Sequence, residues 1–514
     1  MSSTFLGLNT AYTGLQSYMA ALNTTAHNVS NSKTTGYTRQ QVLMRADRAL
    51  TYASYGTIGT GSIVTGIEQT RDSYYDVKYR NNQSNLGQYE VLENYMTQIE
   101  DYLNDYALEG MTTLYDNLYD SLHELKKTPS DDTVKNNVVN AGMALAEYFN
   151  TLTVNLRKIQ VDANEEIKNK CEQINTMAAN IAGLNKQINI IEANGGTAND
   201  LRDQRNVLLD ELAKIANIST TEYEVGNGVT NLTVTLDGQY LVDNYNYNTL
   251  ITEAKTERRN ASDAEGMYEI TWSNGISFSE YSDTLGGELK ALLDIRDGCN
   301  NAYEVVNRTT DAAGNPVYEL GTEQRTGVTN TSYKGVPYYQ TKINQFVNLL
   351  SDVFNSVFTS GYTTEGEPGI EFFTIKYSDS PMSALSIEVN PELINNVSRL
   401  ATTTDWTSGE ANSDLVEKLI ETQEQKLFNG GTGAYFLESI IAAVAVDSDR
   451  ASTFSTNYAN LETTIENQRL SIMGVDEDEE GVDLVKFQQA YNLCSKMIQT
   501  FSEIYNKLIN ETGV

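Results

Sequence analysis

The chain has 514 residues, of which 40% are apolar and 20% charged, so it is long enough to form two to four domains with sizeable cores. Acidic residues number 69 and basic residues 36, which gives a formal net charge of −33 and argues against nucleic acid and anionic membranes as partners. No segment approaches the roughly 18 apolar residues that span a bilayer, so we predict no membrane insertion.

Cysteine and histidine contents give no sign of a reactive or metal-binding site. The cysteines are odd in number and far apart, at Cys171, Cys299 and Cys494, which is not the pattern of a disulfide framework. His27 and His123 have no partners at zinc spacing, and no nucleotide-binding or hydrolase motif occurs. We therefore predict no catalytic residue, no bound cofactor and no metal, and a protein that is not an enzyme.

The first 32 residues predict a helix that packs in a coiled coil. Apolar residues recur at alternating spacings of three and four, and this average of 3.5 is the period of a coiled-coil seam. The segment contains no charged residue, which indicates a helix surrounded by other helices, because burying a charge is costly. It also lacks the features of a Sec-type signal, so we expect any export to follow another route. The predicted seam residues are Phe5, Leu8, Tyr12, Leu15, Met19, Leu22, Ala26 and Val29.

The middle of the chain changes from helix to strand and back. Residues 36–70, rich in glycine and β-branched residues, predict loops with short strands, and alternation over residues 218–282 predicts antiparallel hairpins. Residues 300–337 predict a surface insert or a β-hairpin, and residues 362–410 are mixed. The predicted seam of the long helix at 131–194 consists of twelve residues, which are Leu152, Leu156, Ile159, Ala163, Ile167, Lys170, Ile174, Met177, Ile181, Leu184, Ile188 and Ile191. Helices are predicted at 72–127, 131–194, 199–215, 286–297, 339–359, 413–428 and 434–472.

The last segment repeats the alternation of the first. Its helix follows the acidic run at residues 476–480, which complements the positive end of a helix dipole. Two such helices at opposite ends of the chain predict that the ends pair in a coiled coil. The second set of seam residues is Leu484, Phe487, Tyr491, Cys494, Ile498, Phe501, Tyr505 and Leu508.

The predicted fold is mainly α with a β-rich middle domain. We expect an elongated molecule, because an unbroken helix over residues 131–194 would be about 95 Å long, whereas a compact sphere of this chain would be about 60 Å across. Three nested domains are predicted. They are a terminal coiled-coil axial core (1–70 with 475–514), a helical rod-like domain (71–217 with 411–474) and an antiparallel β-rich outer domain with inserted helices (218–410).

Two sequence motifs resemble those of bacterial flagellar axial proteins, which are the rod, hook and hook-associated proteins. Residues 27–40 resemble the N-N-hydrophobic-S/A-N…T-x-G-Y-T-R-Q motif, and residues 199–212 resemble the N-D-L-x-D-Q-R segment of hook-associated proteins. Residues 286–297 and 479–491 are also similar to that family. The chain departs from the pattern at His27, where the family usually has asparagine, and in its long stretch at 300–337. The matching positions are Asn28, Asn31, Gly36, Tyr37, Arg39, Asp203, Gln204 and Arg205.

The resemblance implies a structural ring component at the junction between the flagellar hook and the filament. It further implies export through the flagellar type III apparatus and an extracellular location in the flagellum. The implied partners are copies of the same chain, the hook protein, the second junction protein and a cytoplasmic chaperone that holds the C-terminal helix before export. Two alternatives stay open, namely another axial protein, such as the hook protein or the second junction protein, and a hydrolase in the outer domain on the same frame.

Overall fold

The computed structural model is 63% helical, and all its strand pairs are antiparallel, which confirms the prediction of a mainly α fold with a β-rich middle. For the strands within 303–323, and for Tyr52, only the backbone is described. The residues that the structure describes are 5–52, 56–103, 110–226, 228–258, 262–299, 303–310, 316–323, 333–377, 382–428 and 431–511.

The helices agree with the predicted ones to within a few residues, except that the predicted helix at 72–127 forms two helices, α2 and α3. Residues 104–109, where that prediction joins them, lie outside the described residues. The helices are α1 (Leu6–Asn31), α2 (Ser73–Leu103), α3 (Met111–Lys127), α4 (Asp132–Ala193), α5 (Asn199–Ile215), α6 (Gly287–Asp297), α7 (Val336–Phe358), α8 (Pro391–Asn395), α9 (Asp414–Glu424), α10 (Gly433–Met473) and α11 (Glu477–Asn510).

The strands form small sheets, in the orders β1-β4, β2-β3, β5-β6-β7-β8, β9-β10, β11-β12 and β13-β14. The β11-β12 pair is a hairpin within residues 300–337, which was one of the two structures predicted for that stretch. The strands are β1 (Gln40–Ala46), β2 (Leu50–Tyr52), β3 (Gly56–Ile58), β4 (Ser62–Gln69), β5 (Ile218–Gly226), β6 (Val229–Leu236), β7 (Gln239–Asp243), β8 (Asn246–Tyr247), β9 (Leu250–Ala254), β10 (Tyr268–Trp272), β11 (Tyr303–Thr310), β12 (Pro316–Glu323), β13 (Phe373–Ile375) and β14 (Ile387–Val389).

The chain divides into two compact units. Unit 1 comprises Met1–Leu86, Gln173–Thr249 and Tyr458–Val514, and unit 2 comprises Gly87–Glu172 and Leu250–Asn457. Unit 1 therefore contains both chain ends, the β1–β4 hairpin, α5 and the four-stranded sheet. The three-domain scheme predicted from the sequence stays a prediction.

The core of unit 2 is built from aromatic rings around α7. The Phe346 ring is fully buried, with its centroid 5.0 Å from that of Phe428 and 5.6 Å from those of Tyr115 and Phe149. Aromatic side chains bury large apolar areas and gain further from offset and edge contacts, so this cluster is a strong source of stability. Its other buried rings are Tyr119, Phe354, Phe358, Phe372, Phe373 and Phe436.

The buried line of α4 corrects the predicted seam. From Leu152 to Glu192 it takes eleven steps over 40 residues, an average of about 3.6, which is the period of an ordinary helix surface and not of a coiled coil. Eight of the twelve predicted seam positions are buried, but Lys170, Met177, Leu184 and Ile191 are not. The buried residues are instead the next ones along the chain, which are Cys171, Ala178, Asn185 and Glu192.

Candidate assembly interface

The two terminal helices, α1 and α11, pack against each other in antiparallel orientation in unit 1. The ring centroids of Phe5 and Tyr505 lie 4.9 Å apart near one end of the pair, and those of Tyr18 and Phe487 lie 6.5 Å apart further along. The two ends of the chain thus pair with each other, as their patterns predict, and they do so within a single copy.

Small residues let α1 and α11 approach closely. A Cβ at Gly7 would lie 2.5 Å from Cζ of Phe501, and one at Gly14 would lie 3.1 Å from Sγ of Cys494. The first distance is shorter than any real carbon contact, so a side chain at Gly7 would force the aromatic ring of Phe501 to move. The absence of a side chain at Gly7 therefore contributes directly to the helix pairing.

The face of α1 that is buried within the chain differs from the predicted seam. It follows small and polar residues, whereas the large seam residues Phe5, Tyr12, Met19 and Val29 are exposed and Leu8, Leu15 and Leu22 are half-buried. The predicted role of these seam residues in assembly therefore stays a prediction, for contacts with other chains. The buried residues of α1 are Ala11, Gly14, Ser17, Ala21, Thr24, Thr25 and Asn28.

Helix α11 has little of its surface covered. Among its 34 residues only Glu480 is buried, and the predicted seam residues from Phe487 to Tyr505 are half-buried, with Leu484 and Leu508 exposed at its ends. Apolar residues are also exposed away from that seam, as a stripe of the kind that marks interaction sites. This second stripe consists of Val482, Val485, Leu493, Met497 and Ile504.

The β1–β4 hairpin packs along another side of α1. The hydroxyl of Ser17 donates to the carbonyl of Ser62 at 3.4 Å. Gly61 has φ +120° and approaches the helix so closely that a Cβ there would lie 2.1 Å from Oγ1 of Thr13. Glycine is the residue that tolerates both the positive φ and this approach, so it fixes the hairpin against α1.

The first family motif closes the loop between α1 and β1. Asn28 is buried; its side-chain amide donates to the carbonyl of Gln40 at 2.9 Å, while its Oδ1 accepts from the Gln40 amide at 3.0 Å and from the Tyr37 hydroxyl at 2.8 Å. Asn31 donates to the His27 carbonyl at 3.0 Å. Gly36 has φ +75°, and a Cβ there would lie 2.2 Å from Cγ2 of Val207. The motif therefore sets the path by which the chain leaves α1.

The same loop binds α5 through the second family motif. The amide and hydroxyl of Thr38 donate to the carboxylate of Asp203 at 2.9 and 2.7 Å, and Arg71 contacts the same carboxylate at 3.3 Å. Burial raises the pKa of Asp203, and the hydrogen bonds from Thr38 and the charge of Arg71 offset only part of that rise. The two motifs, 165 residues apart, are thus in direct contact through a buried carboxylate.

Arg39 joins the loop to the start of α11. Its Nε donates to the buried carboxylate of Glu480 at 2.7 Å, its Nη1 donates to Glu479 at 3.1 Å, and its backbone amide donates to the carbonyl of Met473 at 2.8 Å. Burial lowers the pKa of Arg39, but its hydrogen bond to Glu480 and the charge of that carboxylate outweigh burial and raise it. Arg39 therefore joins the loop that follows α1 to the start of α11.

The remaining motif residues lie on different sides of α5. Arg205 is buried; it donates to Oδ1 of Asn185 at 3.0 Å and forms two bonds to the Glu222 carboxylate at 3.0 and 2.9 Å. Burial would raise the pKa of Glu222, but the positive charges of Arg205 and Arg202 lower it overall. Gln204 is exposed. Arg205 thus ties α5 to α4 and β5, whereas Gln204 faces solvent.

Several residues of this network were missed by the sequence analysis. Asp76 accepts two hydrogen bonds from Arg71, at 2.7 and 2.9 Å, and lies 3.0 Å from Arg469, which also binds Asp210 at 2.6 Å. Arg80 donates to Asp210 at 2.7 Å. Single charges scattered through helical segments give no sequence signal of such pairing, because partners as far apart as Asp76 and Arg469 meet only in the folded chain.

Across the described ranges, no group of His, Cys, Asp and Glu residues could hold a metal ion. Within the same residues, no helix is long and apolar enough to cross a membrane.

A model of the "Flagellar hook-associated protein FlgK helical domain" matches residues 96–373, just over half of the chain. The chain belongs to the FlgK family. A second model, "Flagellar basal body rod FlgEFG protein C-terminal", matches residues 466–511, which include α11. The resemblance seen in the sequence motifs is thereby confirmed.

Relatives align over almost the whole chain. It is 26% identical to flagellar hook-associated protein 1 of Bacillus subtilis, covering 100% of this chain and 99% of the relative. It is 25% identical to the protein of the same name from Escherichia coli, covering 98% and 99% respectively. The flagellar hook junction protein FlgK of Burkholderia pseudomallei has a similar fold, with a TM-score of 0.60 and 11% identity over 77% of this chain and 100% of that structure.

Proposed function

We propose that this protein is the structural junction component that links the flagellar hook to the filament and that it self-assembles through its paired terminal helices. The observation that carries the proposal is the α1–α11 pair in a member of the FlgK family. Within unit 1, Arg39 joins the loop after α1 to α11 and Thr38 joins that loop to α5, while several large apolar side chains of the pair are exposed. Such stripes are typical of surfaces that other chains cover.

The proposed partners follow from that role. We propose that copies of the chain contact each other through the exposed seam of α1 and the second stripe of α11, with the hook protein on one side and the second junction protein on the other. Before assembly, a cytoplasmic chaperone would cover α11, and the chain would leave the cell through the flagellar type III apparatus. The match to the FlgK helical domain favours this junction role over the two other axial proteins considered from the sequence.

We propose a structural role without catalysis, because the relatives over the whole chain are hook-associated proteins. A hydrolase in residues 218–410 would be detected by a peptidoglycan or casein hydrolysis assay on the purified chain. Activity abolished by changing one carboxylate would overturn the structural assignment.

The test of self-assembly places a charge on the exposed seam. Met19→Asp should leave the monomer folded, because Met19 is 46% exposed, and should abolish incorporation at the hook tip. The matched control is Val446→Asp, the same kind of change at a residue of unit 2 that is 67% exposed, which should incorporate normally. The measurement is immunoblotting of isolated flagella from cells lacking their own copy. Deletion of residues 1–32 or of residues 482–514 should also abolish incorporation. Cells with either deletion should therefore shed unpolymerised filament protein. Normal filaments in the Met19→Asp strain would refute the proposal.

A further inference from the structure

Unit 1 contains a groove of about 740 Å³ at the point where α1 ends. Its walls are the end of α1 with the following loop, the exposed face of α4 around Leu184 and the face of α5 around Gln204 and Leu208. This volume lies within the range of about 300–1,000 Å³ that is typical of ligand sites. The groove is therefore large enough to bind a few side chains of another molecule.

The groove carries a carboxylate that pairs with no lysine or arginine among the described residues. Its lining includes Asp200 and Asp203 but no lysine or arginine. Asp203 is already bound by Thr38 and Arg71. Asp200 accepts from Nε2 of the Gln40 side chain at 2.7 Å and contacts His27 at 3.3 Å. Its side chain is 60% exposed, and within the described chain no lysine or arginine pairs with it. The groove thus favours a cation next to an apolar group.

A second groove, on the other side of the loop, is different in charge. Its volume is about 610 Å³, and its lining includes Lys33, Lys214 and Arg469. Two of its acidic residues, Asp210 and Glu466, already contact Arg469. Because the basic residues of the second groove offset its own acidic residues, this groove has no comparable preference for a basic partner.

A basic surface complementary to the first groove lies on the β1–β4 hairpin. The first 71 residues carry five basic and two acidic residues, in a chain whose net charge is −33. Among the described residues, Arg45 and Arg48 form no ion pair, although the three other basic residues of this segment do. Arginine next to methionine and other large apolar side chains is a composition enriched in protein interfaces. We call Arg45, Arg48 and the exposed apolar residues beside them the hairpin elbow; those residues are Leu43, Met44, Leu50 and Ile63.

The hairpin elbow cannot reach the groove of its own chain. The amide of Asp47 bonds to the carbonyl of Gly61, and Gly61 packs on Thr13, so the elbow lies at the level of Thr13 on α1. His27, at the groove, is fourteen residues further along the helix, which corresponds to about 21 Å. An elbow that enters the groove must therefore come from another copy of the chain.

We propose that the hairpin elbow of one copy docks into the groove of a neighbouring copy, with Arg45 or Arg48 beside Asp200. This inference rests on the proposed function, since neighbouring copies occur in the junction ring. The two complementary surfaces differ and lie on the same chain, so the contact is head-to-tail. Head-to-tail contacts repeat from copy to copy and generate rings when the rotation closes, whereas a self-complementary contact ends at a dimer.

The first test exchanges the charges. Arg45→Glu with Arg48→Glu should lower incorporation into isolated flagella about tenfold, because like charges facing each other across an interface are strongly unfavourable. Asp200→Lys alone should lower it similarly. The variant with all three changes should recover to within about twofold of the wild type, since the attraction is restored with reversed sign. The matched control is the variant Arg45→Glu, Arg48→Glu and Glu224→Lys. Because Glu224 is an exposed residue of β5 outside the groove, this variant should give no recovery. Recovery no better than that of this control would overturn the proposal.

The second test detects the contact directly by disulfide formation. With Cys494 changed to alanine, the variant Arg48→Cys with Gln204→Cys should give a reducible ladder of linked chains in isolated flagella. The corresponding single-cysteine variants and the pair Arg48→Cys with Glu224→Cys should give monomers. If the double variant is not incorporated, co-expression of the two single variants should give a linked dimer. Flagella that contain these chains without the link would overturn the docking and leave the junction role intact, whereas normal assembly of Met19→Asp would overturn the proposed function itself.

Discussion

Helices α7 and α11 show two ways in which the same chain uses apolar residues. Of the 23 residues of α7, fourteen are buried, and most of them pack in the aromatic core of unit 2. Of the 34 residues of α11, one is buried, although its apolar residues recur at a regular helical spacing. Unit 2 thus buries its apolar residues within its own chain, while the terminal pair leaves apolar surface uncovered. That uncovered surface is the one through which we propose that copies of the chain assemble.

The largest loss of stability is expected in the aromatic core. Phe346→Ala should lower the free energy of unfolding of unit 2 by about 3–5 kcal/mol, because it removes a fully buried ring and leaves a cavity. Both tryptophans of the chain, Trp272 and Trp406, lie in unit 2, so urea unfolding followed by tryptophan fluorescence reports this loss. Phe346→Leu should cost less. An unchanged unfolding midpoint in Phe346→Ala would contradict the stabilising role of the cluster.

The next largest effect is expected at the buried charges of unit 1. Asp76→Asn should destabilise the chain by about 2–4 kcal/mol at pH 7, because it leaves Arg71 and Arg469 without a full counter-charge. Burial raises the pKa of Asp76, but the bonds and charges of Arg71 and Arg469 outweigh burial and lower it.

The sign of the pH dependence at Asp76 follows from that lowered pKa. A carboxylate whose pKa is lower in the folded state contributes stability above its unfolded pKa, near 3.9, and this contribution is lost as the pH falls through the folded value. The difference between wild type and Asp76→Asn, measured by urea unfolding with circular dichroism, should be constant from pH 7 to about 5 and shrink below about 4. A difference that is independent of pH down to pH 3 would argue against a charge effect.

A smaller, local effect on stability is expected at the contact between Arg39 and the start of α11. Arg39→Ala should destabilise the start of α11 by about 1–2 kcal/mol, because Glu480 is left buried without its partner while Arg39 itself is partly exposed. Hydrogen exchange of residues 477–486 should become about tenfold faster, since 1.4 kcal/mol corresponds to a factor of ten. The exchange rate of Arg39→Lys should lie between those of the wild type and Arg39→Ala, because lysine keeps the positive charge but lacks the fork of donors of the guanidinium group. Unchanged exchange in Arg39→Ala would show that the ion pair does not hold the helix.

The smallest effect on the monomer is expected at the second stripe of α11. Leu493→Asp should change the free energy of unfolding by no more than about 0.5 kcal/mol, because Leu493 is 62% exposed. Incorporation into flagella should nevertheless be lost, and Leu493→Ala should lie between wild type and the charged variant. Normal incorporation of Leu493→Asp would remove this stripe from the assembly surface.

Local patterns predicted the helices well because their signals lie within one or two turns. Helix α5 was predicted at residues 199–215, where the structure has it, since Asn194, Gly195 and Gly196 end the preceding helix. Likewise, α11 begins directly after Asp476, whose side chain accepts from the amides of Asp478 and Glu479. The hairpins between β5 and β10 were also predicted from alternation and turn residues.

The sequence did not determine which face of a helix is buried. On α1 most buried positions lie one residue away from those predicted, and on α4 four of the twelve predicted positions are displaced in the same way, for example Cys171 in place of Lys170. A shift of one residue rotates the contact face by about 100°, and apolar spacing alone does not distinguish a face that packs within the chain from one that packs on another chain. On α1 the small residues are buried because α11 and the β1–β4 hairpin both approach closely.

The sequence by itself determined the mainly α fold, the pairing of the chain ends and the family, because periodicity and short motifs are local properties of the chain. Only the tertiary structure decided which face of α1 is left exposed and which charges meet. The contacts of Arg39 with Glu480 and of Thr38 with Asp203 join residues 441 and 165 positions apart. No local rule pairs residues at such separations, since their contact depends on how the helices between them are packed.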